Sequence, residues 1–225
     1  MPKIKKSKTP KFIRRSIYNI KSILGLLRIV LSDRQFLYFS CVIVGITSAL
    51  AVTVLKTFAH NVFQFTTYVN KILKLPYLNS ILPILGIVLT VLIIRKFLNG
   101  SLEKGTAQIM IAVAKRSGFM PKKQMYAQIV TSSLTVGMGG SAGLESPITI
   151  TGAALGSNYA QDFRLNYKDR TLLLACGVAA GIATAFNAPV AGVLFAIEVI
   201  LADMSVSAFI PIMISSATGA IMSNL

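Results

Sequence analysis

The sequence predicts an all-α integral membrane protein built from tilted and interrupted helices. Hydrophobic residues make up 54% of the chain and charged residues only 13%, and the mean hydropathy is +0.68. Soluble domains carry about 25% charged residues. Apolar runs also occur at two lengths, and glycine and proline interrupt the shorter ones. These observations exclude an ordinary cytosolic enzyme, a disordered chain and a collagen-like fibre, and no enzymatic activity is predicted.

The first segment, residues 1–35, is strongly basic. It holds ten of the 23 Lys and Arg residues and one acid, Asp33. In a soluble protein the net charge of +16 would suggest nucleic acid as a partner. Here most basic residues lie between apolar runs, and the tail has only Phe12 and Tyr18 as aromatics, so no nucleic-acid binding is expected. We predict a cytoplasmic tail near anionic lipid; a solvated tail with no specific task is the alternative.

Residues 36–225 form the predicted transmembrane domain. Residues 36–63, and residues 81–94 with their flanks, are long enough to span a bilayer, which needs about 20 residues. The later apolar segments are shorter or interrupted, at residues 105–113, 129–138, 147–155, 172–186, 190–201 and 208–222. Broken backbone is costly in hydrocarbon unless it lines a cavity or is buried in protein. Interrupted segments therefore favour a transporter or channel over a simple anchor.

The orientation follows from the Lys and Arg residues of the loops. Residues 95–96, 115–123 and 164–170 are expected to share the cytoplasmic side with the tail. The chain between the second and third of these loops would enter the membrane and return as a broken hairpin. Its turning point would be the glycine-rich stretch at 137–143. Lys71 and Lys74 fall on the opposite side and are exceptions to the rule.

The first candidate anion site lies in the stretch Gly139-Gly-Ser-Ala-Gly-Leu-Glu-Ser-Pro-Ile-Thr-Ile-Thr-Gly152. Gly143 permits unusual dihedrals, and Pro147 suits the first turn of a helix, so a half-helix is expected to begin near Glu145. The start of a helix carries unpaired N–H donors and can bind an anion. Glu145 is interpreted as a tethered anion that plugs this site when charged and swings away when protonated. The alternative is a helix-capping acid without a gating role.

A second candidate anion site is Phe186-Asn187-Ala188-Pro189-Val190-Ala191-Gly192. Asparagine at a cap position and proline near a first turn again predict a helix start. The alternative is an ordinary kink between packed helices. Cys41 and Cys176 lie in apolar stretches and are expected to be free thiols. With His60 the only histidine, no metal site is predicted, and no cofactor is expected.

Two segments together resemble the CLC family of chloride channels and chloride/proton antiporters. Gly143-Leu-Glu-Ser-Pro147 is similar to its GxExP motif. Residues 172–198 are similar to its small-residue helix, followed by FNAP-x-AG-x-LF-x-x-E. The resemblance implies an inverted-repeat fold, a homodimer with one pore per subunit, chloride or a similar small anion as substrate, and a multi-pass location in the plasma or inner membrane.

The resemblance also implies roles for individual residues. Glu145 would be the external gating glutamate. The anion path would be lined by the backbone of Gly143, Leu144, Glu145, Ser146 and Pro147. The second segment would be a structural motif, represented by Phe186, Asn187, Ala188, Pro189, Gly192 and Glu198. The family's first anion motif, GSGIP, would fall near residues 103–107, so Lys104 and Gly105 join the anion-binding residues. There Lys104 replaces the expected serine; the alternative is an interfacial basic residue.

Two further departures affect the predicted mechanism. Val199 stands where the similar antiporters carry an internal proton glutamate, which favours channel-like conduction over the alternative of proton-coupled exchange. The sequence to Leu225 corresponds only to the first inverted repeat, the N-terminal half of a CLC-type transporter. A non-conducting, truncated half-subunit is therefore a further alternative.

Overall fold

The computed structural model describes residues 32–73, 78–98, 105–201 and 206–224. The chain divides into two compact units, Met1–Tyr38 and Phe39–Leu225. The predicted tail lies outside the described residues except for its last four. All regular structure within the described ranges is helical, as predicted. The helices are α1 (Asp33–Leu73), α2 (Leu78–Phe97), α3 (Ala107–Lys115), α4 (Gln124–Gly137), α5 (Glu145–Asp162), α6 (Tyr167–Phe186), α7 (Pro189–Phe195) with a π-helical turn (Ala196–Leu201), and α8 (Val206–Ser223).

Helix α6 is the centre of the second unit. It is buried almost throughout between residues 170 and 184, and it packs against α5, α7 and α8. The contacts are made by glycines that leave no room for a Cβ atom. A Cβ on Gly177 would run into the Gly152 carbonyl of α5, and one on Gly192 of α7 would run into the Ala179 carbonyl. Small residues let helix backbones approach closely, which is how transmembrane helices associate.

The outside of the bundle is apolar, and its mainly apolar interior also holds many hydroxyl groups. Helix α2 exposes large side chains that include Ile84, Leu85, Ile87, Val88 and Leu92. Buried positions include many hydroxyl groups, at Ser40, Ser48, Thr131, Ser133, Thr149, Thr151, Thr184, Ser215 and Ser216. Among the described residues, Asp33–Ile72 and Tyr167–Phe186 are long and apolar enough to cross a membrane. Large apolar groups outside and small or hydroxyl-bearing groups inside are typical of a protein that lies in lipid.

The basic loops meet at one end of the bundle, as the sequence predicted. Helices α2 and α4 run antiparallel, since Gly86 faces Met138 and Thr90 contacts Thr135. The end of α2, at residues 95–96, therefore lies beside the start of α4. The turn between α5 and α6 reaches the same end, where Lys122 Nζ lies 3.0 Å from Asp162 Oδ1. The cytoplasmic assignment of this end stays a prediction from charge.

Helix α5 is twice the predicted length. The apolar segment was expected to end at Leu155, but α5 continues to Asp162. The extension is polar because its side chains hold the loop between α3 and α4. Ser157 Oγ donates to the Gly118 carbonyl at 2.6 Å and accepts from the Met120 N–H at 3.0 Å. Hydropathy alone cannot distinguish polar groups that bond to a neighbouring loop from those that end a helix.

Arg170 fixes the same loop, and its replacement gives a testable effect on stability. Its Nε donates to the Ser117 carbonyl at 2.7 Å, and its guanidinium lies 3.8 Å from the centre of the Phe119 ring. Arg170→Leu is expected to lower the free energy of unfolding by about 2 kcal/mol, since a charged hydrogen bond and a cation–π contact are lost together. The melting temperature in detergent measures this. Lys168→Leu, at an exposed position two residues away, is the control, and an equal loss there would contradict the assignment.

Candidate functional site

The candidate site lies where the chain turns from α4 into α5. Three backbone bonds close the end of α4: the N–H groups of Met138, Gly139 and Gly140 donate to carbonyls of residues 134–136. Gly139 has a φ of +92°, which a side chain would strain, and a Cβ on Gly140 would lie 2.6 Å from the Thr135 carbonyl. The chain then runs through residues 141–144 without helical bonds. Glycine at two successive positions therefore makes this tight reversal feasible.

The first turn of α5 presents free backbone donors. The helix begins at Glu145, as predicted, and Leu144 is its N-cap residue without a side-chain cap. The first helical bond runs from the Ile148 N–H to the Leu144 carbonyl at 3.0 Å, and Pro147 has no N–H. Within the part of the chain that is described, the N–H groups of residues 143–146 have no hydrogen-bond partner. Such a turn can hold an anion because its N–H dipoles point outward and carry partial positive charge.

Leu144 anchors this turn. Its side chain packs against a buried cluster of Val52, Leu55 and Ile148, to which Ala185 of α6 also contributes contacts. Ser146 contributes its carbonyl, which accepts from Thr149 Oγ1 at 2.9 Å. The apolar anchor fixes the position of the free donors, since moving them would expose buried surface.

Glu145 is the only acid in this turn and is exposed. Its carboxylate makes no ion pair or hydrogen bond within the described ranges. Gly143, two residues earlier, has no atom within 4 Å of the place where a Cβ would lie. The carboxylate therefore stands on the helix that carries the free donors, with open space beside it. An acid at the start of a helix is also electrostatically favourable, so its position fits both of the roles considered for it.

The segment around Asn187 corrects one prediction. Asn187 does not cap the start of the next helix; it ends α6 in the left-handed conformation, with φ +52°. Asparagine tolerates this conformation better than most residues, which suits a helix end. Ala188 is the N-cap residue of α7, and Pro189 is its first residue, as expected. The reversal allows Gly192 to reach α6, and the side chain of Phe186 is exposed.

The remaining predicted residues lie elsewhere. Glu198 is exposed and Val199 half-buried, both in the π-helical turn after α7. Gly105 has a φ of +80° just before α3, where its carbonyl accepts from the Gln108 N–H at 3.2 Å. Lys104 lies outside the described residues. Cys41 and Cys176 are free, as predicted, and lie in contact in the core with their sulfur atoms 3.6 Å apart. No group of three metal-binding side chains occurs in the described ranges.

A groove of about 410 Å³ separates α2 from α4 and ends at the start of α5. One end is lined by Ile94 and Gln128, and the other by Gly143 and Pro147, the residues two positions on either side of Glu145. Hydroxyl groups of Thr90, Thr131, Ser132 and Thr135 line its middle. The groove therefore joins the basic end of the bundle to the candidate site.

A second cavity of about 530 Å³ lies on the other side of the turn, against α1. Lys56, His60 and Leu144 line it, and Val136 lines both this cavity and the groove. Lys56 Nζ also donates to the Ala185 carbonyl, at 2.9 Å, near the end of α6. A cation suits that position because the last carbonyls of a helix are unpaired and carry partial negative charge.

Neither the groove nor the position of Lys56 was predicted from the sequence. Two features of the sequence could have indicated them. Lys56 is the only Lys or Arg within residues 36–63, and polar residues recur on α4 at Gln124, Gln128, Thr131 and Thr135. Which helix each would face could not be inferred from spacing, because that depends on contacts between distant segments.

Comparison with known proteins gives a consistent match. The family described as "Voltage gated chloride channel" matches residues 86–225. A protein of Ralstonia nicotianae described as ClcB-like is 32% identical over 124 residues, which cover 53% of this chain and 29% of that protein. The voltage-gated ClC-type chloride channel ClcB of Escherichia coli O139:H28 is 38% identical over 98 residues, 43% of this chain and 23% of that channel. The matches thus span less than a third of these relatives.

Two solved structures have the same fold. A CLC-type fluoride/proton antiporter is 26% identical with a TM-score of 0.68, covering 85% of this chain and 47% of that one. A eukaryotic CLC transporter is 21% identical with a TM-score of 0.72, covering 90% of this chain and 39% of the transporter. The likeness to these two structures confirms the predicted fold, one half of a CLC-type transporter.

Proposed function

The chain belongs to the voltage-gated chloride channel (CLC) family, and from that premise we propose that it carries chloride or similar small anions across a membrane. The proposal rests chiefly on one observation, the free N–H groups of residues 143–146 at the start of α5. An anion that leaves water must exchange its hydration shell for other donors. Backbone dipoles supply them without binding so strongly that release is prevented. Gly143, Leu144, Ser146 and Pro147 form the wall of this anion site.

In this proposal Glu145 is the gate. Its carboxylate is fixed to the turn that would bind the anion, so the two negative charges compete for the same donors. Protonation removes the charge and the competition, and the side chain can then leave the site. The open space beside Gly143 supports such a movement. An acid that only capped the helix would have no effect on anion passage.

Channel-like conduction is the preferred mode. Val199 cannot carry a proton, and it occupies the position of the internal proton glutamate in the antiporters that the chain resembles. Proton-coupled exchange is the second candidate, because a chain with this fold is a CLC-type fluoride/proton antiporter. A non-conducting half-subunit is the third alternative, since the matches span less than a third of the curated relatives.

We further propose where the chain lies in the cell and which additional chain completes the pore. Residues 36–225 lie in the plasma or inner membrane, and residues 1–35 form a cytoplasmic tail near anionic lipid. The pore is completed by chain equivalent to the remainder of the CLC fold, and two subunits form a homodimer. Lys104 and Gly105 contribute a further anion contact.

Chloride efflux from liposomes that hold the full-length protein tests this function. Efflux is expected to exceed that of protein-free liposomes by at least tenfold when potassium is made permeable to balance charge, and proton movement is recorded in parallel. Efflux without stoichiometric proton uptake supports the channel, whereas proton uptake coupled to chloride supports exchange. No efflux above the protein-free control would reject anion transport.

A further inference from the structure

We propose that the cavity bounded by Lys56 and His60 of α1 and by Leu144, here called the outer cavity, is a second anion-binding site in which the two basic side chains hold a small, weakly hydrated anion. The site is separate from the free N–H groups of residues 143–146. Binding in it does not require that anions cross the membrane, and only the choice of halides as probes rests on the proposed function.

The outer cavity lies at the depth of the turn that begins α5. Helix α1 runs antiparallel to α5: Ser40 Oγ lies 3.2 Å from Tyr159 Oη, near the end of α5 that meets the basic loops. Leu55 belongs to the same buried cluster as Ile148, in the first turn of α5. Lys56 directly follows Leu55. The outer cavity is therefore found toward the end of the bundle opposite the basic loops.

The charges of the outer cavity are unbalanced. Lys56 and His60 are the only basic side chains in the apolar run 36–63, which contains no acid. They stand four residues apart, share a face of α1 and line the same cavity. The lining contains no acid, and Lys56 makes no ion pair within the described ranges. A basic group at membrane depth is costly without a counter-charge and often marks an ion site, so an anion from solution would supply what the protein does not.

Both basic side chains keep donors for such an anion. Lys56 Nζ gives one of its three hydrogens to the Ala185 carbonyl at 2.9 Å, which fixes the ammonium at the wall and leaves two hydrogens. Gln64 Nε2 lies 2.9 Å from His60 Nε2. An amide nitrogen can only donate, so His60 Nε2 accepts and the neutral ring carries its hydrogen on Nδ1. That hydrogen has no partner in the described part of the chain.

The remaining walls determine which anions fit. Apart from the two basic groups and Thr57, the lining side chains are apolar, among them Phe63, Val136 and Leu144. A strongly hydrated anion such as fluoride would exchange many water molecules for few donors, and unreplaced hydrogen bonds cost free energy. Bromide holds its water less strongly. The outer cavity is therefore expected to bind bromide more tightly than fluoride.

A cysteine in place of Thr57 measures the electric potential of the outer cavity without any ion flux. The full-length protein in liposomes is treated, at the end opposite the basic loops, with an anionic or a cationic methanethiosulfonate. After correction for the rates with a free thiol in solution, the anionic reagent is expected to modify Thr57→Cys at least tenfold faster. Adding Lys56→Met should bring the two rates within about threefold. Cys41 and Cys176 are fully buried, so the background is low.

Lys71→Met is the matched control. It removes the same charge from an exposed position of α1 that is about 22 Å farther along the helix, well beyond the screening length of about 8 Å at physiological salt. The preference for the anionic reagent should be kept there. Lys56→Arg, which retains the charge, should keep it as well and so excludes misfolding as the cause. An equal loss in Lys56→Met and Lys71→Met, or no preference before either change, would overturn the inference.

Protection of the same cysteine identifies the ligand. Neutral methyl methanethiosulfonate is used at constant ionic strength, with gluconate as the replacing anion, so that screening does not affect the rate. Saturating bromide is expected to slow the modification of Thr57→Cys at least threefold and fluoride to slow it less. The protection should disappear with Lys56→Met, and His60→Gln should raise the half-protecting bromide concentration about threefold. Protection that survives Lys56→Met, or equal protection by both halides, would overturn the inference.

Chloride efflux distinguishes this site from the proposed function. If the unsubstituted protein conducts no chloride, anion transport is rejected, and the thiol measurements alone decide whether the outer cavity binds anions. If the protein conducts chloride but bromide does not protect Thr57→Cys, the second site is rejected and anion transport stands.

Discussion

Glutamine in place of Glu145 is expected to raise chloride flux near neutral pH by on the order of tenfold and to abolish its activation by acid. Glutamine has nearly the size of a protonated glutamate and carries no charge, so it cannot compete with an anion for the N–H groups of residues 143–146. A tenfold change corresponds to removing about 1.4 kcal/mol of competition. Liposome flux measured across the acid range in both proteins gives the result.

Glu198→Gln is the matched control for the gate. It makes the same chemical change at another exposed glutamate, in the π-helical turn after α7. Its flux and acid dependence should equal those of the unsubstituted protein. If Glu145→Gln keeps the original acid dependence while conducting, the gating assignment is wrong. If Glu198→Gln loses that dependence instead, the titrating group is in the π-helical turn after α7 and not at the start of α5.

Alanine in place of Gly156 is expected to have the largest effect on stability. A Cβ at this position of α5 would run into the carbonyl of Leu173 in α6 and come within 3.0 Å of the Leu174 Cα. Backbone cannot rotate aside as a side chain can, so the two helices must separate. We expect a loss of about 3 kcal/mol or more, at the upper end of the cost of overpacking. Thermal unfolding in detergent and the fraction of monodisperse protein measure it.

Gly143→Ala is the control for this prediction. It adds the same methyl group where no atom lies within 4 Å of the new Cβ. Its melting temperature should stay within a degree or two of the unsubstituted protein. An equal loss at both positions would mean that the effect comes from glycine chemistry in general. A stable Gly156→Ala protein would show that α5 and α6 are farther apart than described.

The start of α5 could be predicted because its cause is local. Gly143 and Pro147 flank Glu145 within five residues. Glycine is a poor helix former because its backbone is permissive, whereas proline fixes φ at a value that suits a first helical turn. The end of α5 could not be predicted, because Ser157 completes its hydrogen bonds with a loop about 40 residues away. Asn187 is a mixed case: a helix boundary was correctly expected there, but which of two helices it served depended on its backbone conformation.

The class of protein, the family and the position of the acid could all be predicted from the amino-acid sequence. Those properties follow from composition, from short motifs and from dihedral limits, which act within a few residues. Three features became visible only in the folded chain: Gly156 of α5 contacts α6, α2 and α4 enclose a hydroxyl-lined groove, and Lys56 contacts the end of α6. These features depend on which distant segments come together, and glycine spacing or a polar stripe is compatible with several partners.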